Sequence, residues 1–197
     1  MNKKEEINKL VEKTLGYLKY DGHIDIVKIA NNLGFVVGLI RTDMKAFILV
    51  NKKDKNILNQ KSNKVIGVSY KLEIEEKIYL VAYELGNFLL NKGNVSKFAH
   101  TITDEKIIYN NDDNNYFVNS LLMPKERFIK DVENLSKEYR NPSEICEILQ
   151  RIYNVPTLII LKRIEELEET KNIFKLETQE SQPKVKKLTK QSQNNTK

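Results

Sequence analysis

Apolar residues recur at two different spacings along this chain, and the changes between them divide it into three parts. Residues 4–19 and 24–33 carry helical spacing, and Gly34 follows the second stretch where a helix would end. Short runs rich in β-branched and aromatic residues come next and predict strands at residues 35–40, 46–50 and 65–70. The first part of the chain is therefore expected to form two helices and a small, strongly twisted sheet across about residues 35–70.

From about Glu75 onward the spacing is mostly helical. One face of the first helix collects apolar side chains before Gly93 ends it, namely those of Ile78, Val81, Ala82, Leu85 and Leu89. An irregular stretch at 98–110 has room for one edge strand. Further helices are predicted at residues 112–123, 125–139, 142–154 and 156–169. Helices, a small sheet and then a predominantly helical body predict an α+β fold.

The composition fits one domain, predicted over residues 1–176, with a tail at 177–197. The single cysteine, Cys146, excludes an internal disulfide framework and indicates a reducing compartment. No apolar run approaches the roughly 18–20 residues that cross a bilayer. The N-terminal residues lack the pattern of a signal peptide, so a cytoplasmic protein without membrane contact is expected.

The net charge of +6 raises the question of nucleic-acid binding. The tail holds five lysines and two glutamates, a surplus of three, which is half of the total. Its Lys-, Gln- and Asn-rich composition predicts disorder and favours a solubilising role. Weak contact of the tail with nucleic-acid phosphates is the second interpretation of this basic segment.

Glu84 interrupts the apolar helix at 78–91. Tyr83 and Asn87 flank it four residues apart, so their side chains project from one helix face. Zinc peptidases carry two histidines at this spacing, H-E-x-x-H, with the glutamate as general base. Gly86 costs helix stability and suggests close approach of a neighbouring element. The segment by itself favours a glutamate on the solvent edge, with the glycine incidental.

Two segments together change that balance. The helix "AYELGNFLLN" and the later "NNYFVNSLLMP" resemble the "AHELGHxLLH" and "EANxFAxxLLMP" patterns of the ImmA/IrrE family of metallo-endopeptidases. "IVKIANNLGFVV" and "LQRIYNVPTLIILKRIEEL" are similar to its first helix and strand and to its closing helix pair. The resemblance covers roughly residues 5–170 and implies a zincin-like fold with zinc as cofactor.

The resemblance also implies which residues occupy the metal site. The two histidine ligands fall on Tyr83 and Asn87, the general base on Glu84, and the acidic ligand on Asp113. Asn91 takes the place of a histidine often found after "LL". Asparagine is a weak neutral donor, and a tyrosine phenol must lose a proton with a pKa near 10. No metal is therefore expected, and the residues predict a degenerate site repacked with a polar network.

The first functional hypothesis is accordingly a pseudoenzyme that acts by binding a protein. The resemblance implies a helix-turn-helix repressor of a phage or mobile element as partner. The alternative is an active metallo-endopeptidase that cleaves a transcriptional regulator, with zinc held by Glu84, Asp113 and the loop residue His100. His23 is expected at the surface, and Cys146 as a buried structural thiol. The helices around Asn154-Val155-Pro156 are interpreted as a packed pair rather than a DNA-reading motif.

Overall fold

Helices and a four-stranded sheet make up the part of the chain that the structure describes. The structure is a computed structural model; it describes residues 2–16, 23–51, 62–93 and 112–172, and the backbone of 97–101. The elements are α1 (Lys3–Leu15), α2 (Ile26–Asn32), β1 (Val36–Ile40), β2 (Met44–Val50), β3 (Lys64–Ser69), α3 (Ile74–Leu90), β4 (Lys97–Thr101), α4 (Asp112–Leu122), α5 (Lys125–Glu138), α6 (Pro142–Tyr153) and α7 (Thr157–Glu166). The predicted α+β fold is confirmed. The tail at 177–197 and most of the polar connection before β3 lie outside the described residues.

The strands form one mixed sheet in the order β1-β3-β2-β4. β1 and β3 run parallel, whereas β2 is antiparallel to both of its neighbours. β4 is the edge strand for which the irregular stretch had room. One face of the sheet packs on α3 through buried apolar side chains, those of Ala46, Ile48, Ile66 and Val68. This alternation places α3 against the centre of the sheet.

Glycine and proline end the helices largely where the sequence indicates. Gly34 and Gly93 follow α2 and α3 with φ of 83° and 76°, in the left-handed region that glycine adopts without strain. Pro124 separates α4 from α5. The expectation that the first helix continues to residue 19 is wrong, because α1 ends at Leu15, just before Gly16. Glycine disfavours the helix interior by roughly 1 kcal/mol relative to alanine.

The helices pack around α3. α4 lies against α3, α1 lies across α4, and α5, α6 and α7 complete the body with α6 and α7 as neighbours. Within α7, Ile159, Ile160 and Ile164 are buried, but Leu158 and Leu161 are about half exposed. α7 therefore packs through one face and exposes the other to solvent, and its contact with α6 agrees with the expected helix pair. In the described part of the chain, no helix is long and apolar enough to span a membrane.

Candidate functional site on helix α3

Glu84 lies in the interior of the protein. Its side chain is 0% exposed, and the helix residues on both sides of it, from Tyr79 to Asn87, are also buried. The interpretation of Glu84 as a solvent-edge residue, which the isolated segment favours, is therefore wrong. The reason is non-local, because the sheet covers one side of α3 and α4 covers another. A carboxyl group in such a place needs polar neighbours.

Gly86 allows α4 to approach α3 closely. A Cβ atom at this position would clash with Oδ1 of Asn114 and lie 2.9 Å from Cδ1 of Phe117. Both are side chains of α4 that are fully buried. The close approach suggested by a mid-helix glycine is confirmed, and it brings a polar side chain of α4 directly onto the turn that carries Glu84.

Asn114 is the residue that joins the two helices at this point. Its Nδ2 donates hydrogen bonds to the backbone oxygen of Tyr83, at 3.1 Å, and to Oδ1 of Asn87, at 3.0 Å. Sequence reasoning missed this residue. A signal was present, because Asn114, Phe117 and Leu121 share one helix face and the asparagine is the polar member of that apolar stripe.

A second polar bridge lies one turn earlier. The hydroxyl of Tyr79 donates to Oδ1 of Asn115 at 2.9 Å, and both residues are buried. The rings of Tyr79 and Tyr83 lie 6.3 Å apart along α3. Asn114 and Asn115 of α4 thus form hydrogen bonds with two successive turns of α3. These bonds fix the register of the two helices.

Burial dominates the electrostatics of this cluster. It raises the pKa of Glu84 to about 8, and a hydrogen bond with the side chain of Asn87 opposes part of the rise. The pKa of Tyr83 is also raised, mainly by burial; contact with Asn114 lowers it and the charge of Glu84 raises it further. At neutral pH the phenol keeps its proton and the carboxyl group is largely protonated, so the interior carries little net charge.

Asp113 lies at the rim of this cluster. Its side chain is 40% exposed and forms an ion pair with the ammonium group of Lys3 on α1. Asp113 and Asn87 both line a cavity of about 430 Å³ between α1, α3 and α4, and Asn91 lines it as well. Nδ2 of Asn91 donates to the backbone oxygen of Asn87 at 2.8 Å and so closes the end of α3. Asn87, Asn91 and Asp113 therefore line one cavity, and Tyr83 lies one helix turn before Asn87.

The remaining candidates from the sequence lie apart from the cluster or beyond description. His100 belongs to β4 and pairs with Ala46, and its side chain lies outside the described residues. His23 is exposed, as predicted. Cys146 is buried, as predicted, and burial raises the pKa of its thiol. Among the described residues, no three His, Cys, Asp or Glu side chains come together in a way that could hold a metal ion.

A buried arginine fixes the far end of α4. Arg163 of α7 is 2% exposed; its Nε donates to the backbone oxygen of Met123 at 3.1 Å, and its Nη1 donates to Oγ of Ser120 and to Glu166. Glu166 also accepts a hydrogen bond from Asn119 at 2.7 Å. Sequence reasoning missed Arg163. The interactions hold the C-terminal end of α4, whose N-terminal end carries Asn114.

Together the fold and the site define a zincin-like α+β domain, in which a buried, glutamate-bearing helix lies between a mixed sheet and a second helix. The family model described as IrrE N-terminal-like domain matches residues 40–165, and the chain belongs to this family of metallopeptidase-like ImmA/IrrE proteins. The match includes Glu84 and Asp113 and leaves out α1 and α2. No match was found among curated proteins.

Proposed function

We propose that this protein is a pseudopeptidase of the family, which acts by binding a protein and has a polar network where relatives place a metal. The observation that carries the proposal is the bond from Asn114 to Asn87. The oxygen that would have to face a cation already accepts a hydrogen bond from a buried amide on the opposite helix. The turn of α3 that follows Glu84 is thus already bonded to α4.

The donor set does not fit zinc. Zinc in proteins is bound by imidazole, thiolate or carboxylate, and an amide oxygen is a poor substitute. The buried phenol of Tyr83 has a raised pKa, which makes the anionic form needed for metal binding harder to reach. Losing a single supporting residue around a metal already costs about 10–100-fold in affinity. Replacement of two ligands should cost considerably more.

The position of the acidic ligand supports the same conclusion. Asp113 is paired with the ammonium group of Lys3, so a cation supplied by the chain itself already meets this carboxylate. A metal ion would have to displace that contact. The pair is partly exposed and contributes little stability by itself, because solvent screens it. Its importance lies in orientation, since it holds the carboxylate towards α1.

Without a suitable donor set, Glu84 has no route to act as the general base of hydrolysis. Burial raises the pKa of Glu84 to about 8, so in the protein without a cation its carboxyl group is largely protonated at neutral pH. We assign Glu84 a structural role, in which its carboxyl group belongs to the hydrogen-bonded interior between α3 and α4. The peptidase body is retained as a binding scaffold.

The proposed partner is a helix-turn-helix repressor of a phage or other mobile element, through which the protein would influence transcription. This assignment rests on the kinship with ImmA/IrrE proteins, for which such regulators are the expected partners. A scaffold that has lost its chemistry can still hold the protein it once cleaved, because recognition and catalysis depend on different residues. The alternative, an active enzyme with a remodelled metal site, receives no support from the residues described.

Metal analysis of untagged protein decides between the two. We expect far less than one equivalent of zinc after purification and no cleavage of a co-expressed repressor. Stoichiometric zinc that is lost in Asp113→Ala, together with cleavage of a regulator, would overturn the proposal. Co-purification from the host cell tests the partner separately: recovery of a helix-turn-helix protein supports it, and reproducible absence of any regulator contradicts it.

A further inference from the structure

Strand β1 forms an edge of the sheet that lacks the usual protection. Among the described residues it has one neighbouring strand, β3. Its five residues, Val36–Ile40, include no charged side chain and no proline, and no register shift interrupts the pairing with β3. Proteins commonly protect an edge strand with lysine, proline or a bulge, because an open row of backbone groups pairs readily with another strand.

The opposite edge of the same sheet is different. The sequence of β4 includes Lys97 and His100, and a register shift between Met44 and Ala46 of β2 interrupts the ladder that joins β2 to β4. Charged side chains and irregular ladders both discourage pairing with a further strand. The comparison of the two edges indicates that β1, and not β4, is suited to pairing.

The backbone groups on the open side of β1 belong to Val37 and Leu39. The backbone N–H of Tyr70, which follows β3, donates to the backbone oxygen of Ile40 at 3.1 Å, so Ile40 presents its backbone to β3. Successive residues of a strand present their backbone groups to alternate sides. Val37 and Leu39 therefore direct their N–H and C=O groups away from β3.

The side chains along this edge are apolar and accessible. Leu39 is 67% exposed, and a Cβ atom at Gly38 would meet no atom within 4 Å. Val27 of α2, the helix that packs on β1, is 41% exposed. A single exposed leucine is normal on a monomer. Apolar side chains beside an open row of backbone groups are instead typical of a surface that another strand covers.

The sequence of β1 is complementary to itself. When two copies are aligned antiparallel with Gly38 opposite Gly38, Val37 lies opposite Leu39 and Val36 lies opposite Ile40. Each of these pairs joins two aliphatic side chains, which is favourable across strands. Val37 and Leu39 of the two copies can then exchange both of their backbone hydrogen bonds. A two-fold axis through Gly38 repeats the same contacts on its other side.

We propose that β1 is a dimerisation strand, which pairs antiparallel with β1 of a second copy of this chain about a two-fold axis at Gly38. The two four-stranded sheets then form one continuous sheet, and the exposed side chain of Leu39 is covered. A second copy fits the edge because each strand supplies the complement of the other. The interface is small, so we expect a dissociation constant on the order of 10 µM.

Gly38→Cys tests the position of the axis. Residues opposite each other in a non-hydrogen-bonded antiparallel pair have Cα atoms about 4.5 Å apart, which a disulfide can span. The new side chain has open space around it, and the native Cys146 is buried. Mild oxidation should therefore convert most of this variant into a covalent dimer.

Leu39→Cys is the matched control for crosslinking. In the proposed register the two copies of residue 39 are separated by roughly 8–9 Å, which is too far for a disulfide without movement of the backbone. This variant should therefore crosslink much more slowly than Gly38→Cys. Equal crosslinking of both variants, or of neither, overturns the proposal.

Sedimentation measures the pairing without a new cysteine. The mass of the wild-type chain should rise from 23.0 kDa towards twice that value between about 1 and 200 µM. Leu39→Lys should weaken the dimer at least about tenfold, because the two-fold axis places two charges in the interface. Leu161→Lys, the same change at a half-exposed leucine of α7, should dimerise as the wild type does. A wild type that stays monomeric throughout contradicts the proposal, as does an unchanged affinity in Leu39→Lys.

Hydrogen exchange distinguishes a second copy from other occupants of the edge. The amides of Val37 and Leu39 should exchange rapidly in dilute solution and become protected as the protein concentration rises, whereas that of Ile40 should be protected throughout. Protection of all three in a monomer would mean that another segment of the same chain covers β1. Protection only after host-cell protein is added would mean that a foreign strand does. Either result overturns the proposal.

The dimer and the proposed function can fail independently. Crosslinking, mass and exchange at β1 report on the edge of the sheet, whereas zinc content and cleavage of a regulator report on the site at α3.

Discussion

Nδ2 of Asn114 and Oδ1 of Asn87 are joined by a 3.0 Å hydrogen bond across the interface of α3 and α4. The same amide group also reaches the backbone of Tyr83, and Gly86 provides the space for it. Relatives of this domain are metallopeptidase-like, and here the turn that would hold the metal is tied to a neighbouring helix by a neutral amide. The hydrogen bonds that stabilise this turn occupy the groups that a metal would need. Variants of the site can therefore be tested both for the free energy of unfolding and for metal affinity.

Histidines at positions 83 and 87 should create a zinc-binding site on α3. We expect Tyr83→His/Asn87→His to bind zinc at least about tenfold more tightly than the wild type by calorimetry, since it recovers the ligands that zinc prefers. Adding Lys3→Ala should tighten binding further by freeing Asp113. Tyr79→His/Asn87→His is a matched control, because its histidines lie about 12 Å apart along the helix. Equal affinities for both double variants would refute the assigned positions.

The buried carboxyl group should make stability depend on pH. The folded chain holds the Glu84 proton more tightly than the unfolded chain does, since its pKa is raised from 4.5 to about 8. The free energy of unfolding should therefore fall as pH rises between these values, with a slope approaching about 1.4 kcal/mol per pH unit. Denaturant titrations of Glu84→Gln should lack this slope, whereas Glu73→Gln, just before the same helix, should keep it.

Gly86→Ala should lower the free energy of unfolding by about 1–3 kcal/mol, because the new methyl group would meet Asn114 and Phe117. Combining it with Asn114→Ala should cost less than the sum of the two changes, since the clash with the Asn114 side chain is then removed and only the contact with Phe117 remains. At Gly38 a Cβ would meet no atom within 4 Å. Gly38→Ala should be neutral or stabilising by up to about 1 kcal/mol, and strictly additive effects at Gly86 and Asn114 would contradict the close packing.

Arg163→Met should lower the free energy of unfolding by about 2–5 kcal/mol, because it removes the donor to the backbone oxygen of Met123 and the cation paired with Oε2 of Glu166. Arg163→Lys should recover only part of this, since an ammonium group cannot reproduce the forked contacts. Arg151, whose side chain is 76% exposed beside Glu147, is the matched control. Its replacement by methionine should change thermal unfolding little, and a similar loss at both positions would argue against the buried network.

Much of the fold could be predicted from the sequence because secondary structure leaves a local record. The strands at 36–40, 44–50 and 64–69 and the long helix α3 follow from the spacing of apolar residues and from Gly34 and Gly93. The family resemblance likewise rests on short contiguous motifs, and the match over residues 40–165 confirms it. Each of these features involves residues that are near one another in the chain.

The surroundings of Glu84 could not be obtained in this way. Glu84 is buried because α4 and the sheet cover α3. Asn114 of α4 bonds to Tyr83, the residue before Glu84, and the chain between the two helices does not indicate where they will meet. The pairing of Lys3 with Asp113 and of Arg163 with Met123 joins residues still further apart. The sequence by itself determined the elements, the α+β class and the presence of Tyr83 and Asn87 on either side of Glu84 at the spacing of the motif. Only the tertiary structure decided which polar groups surround this turn, because contacts between distant segments form when helices pack.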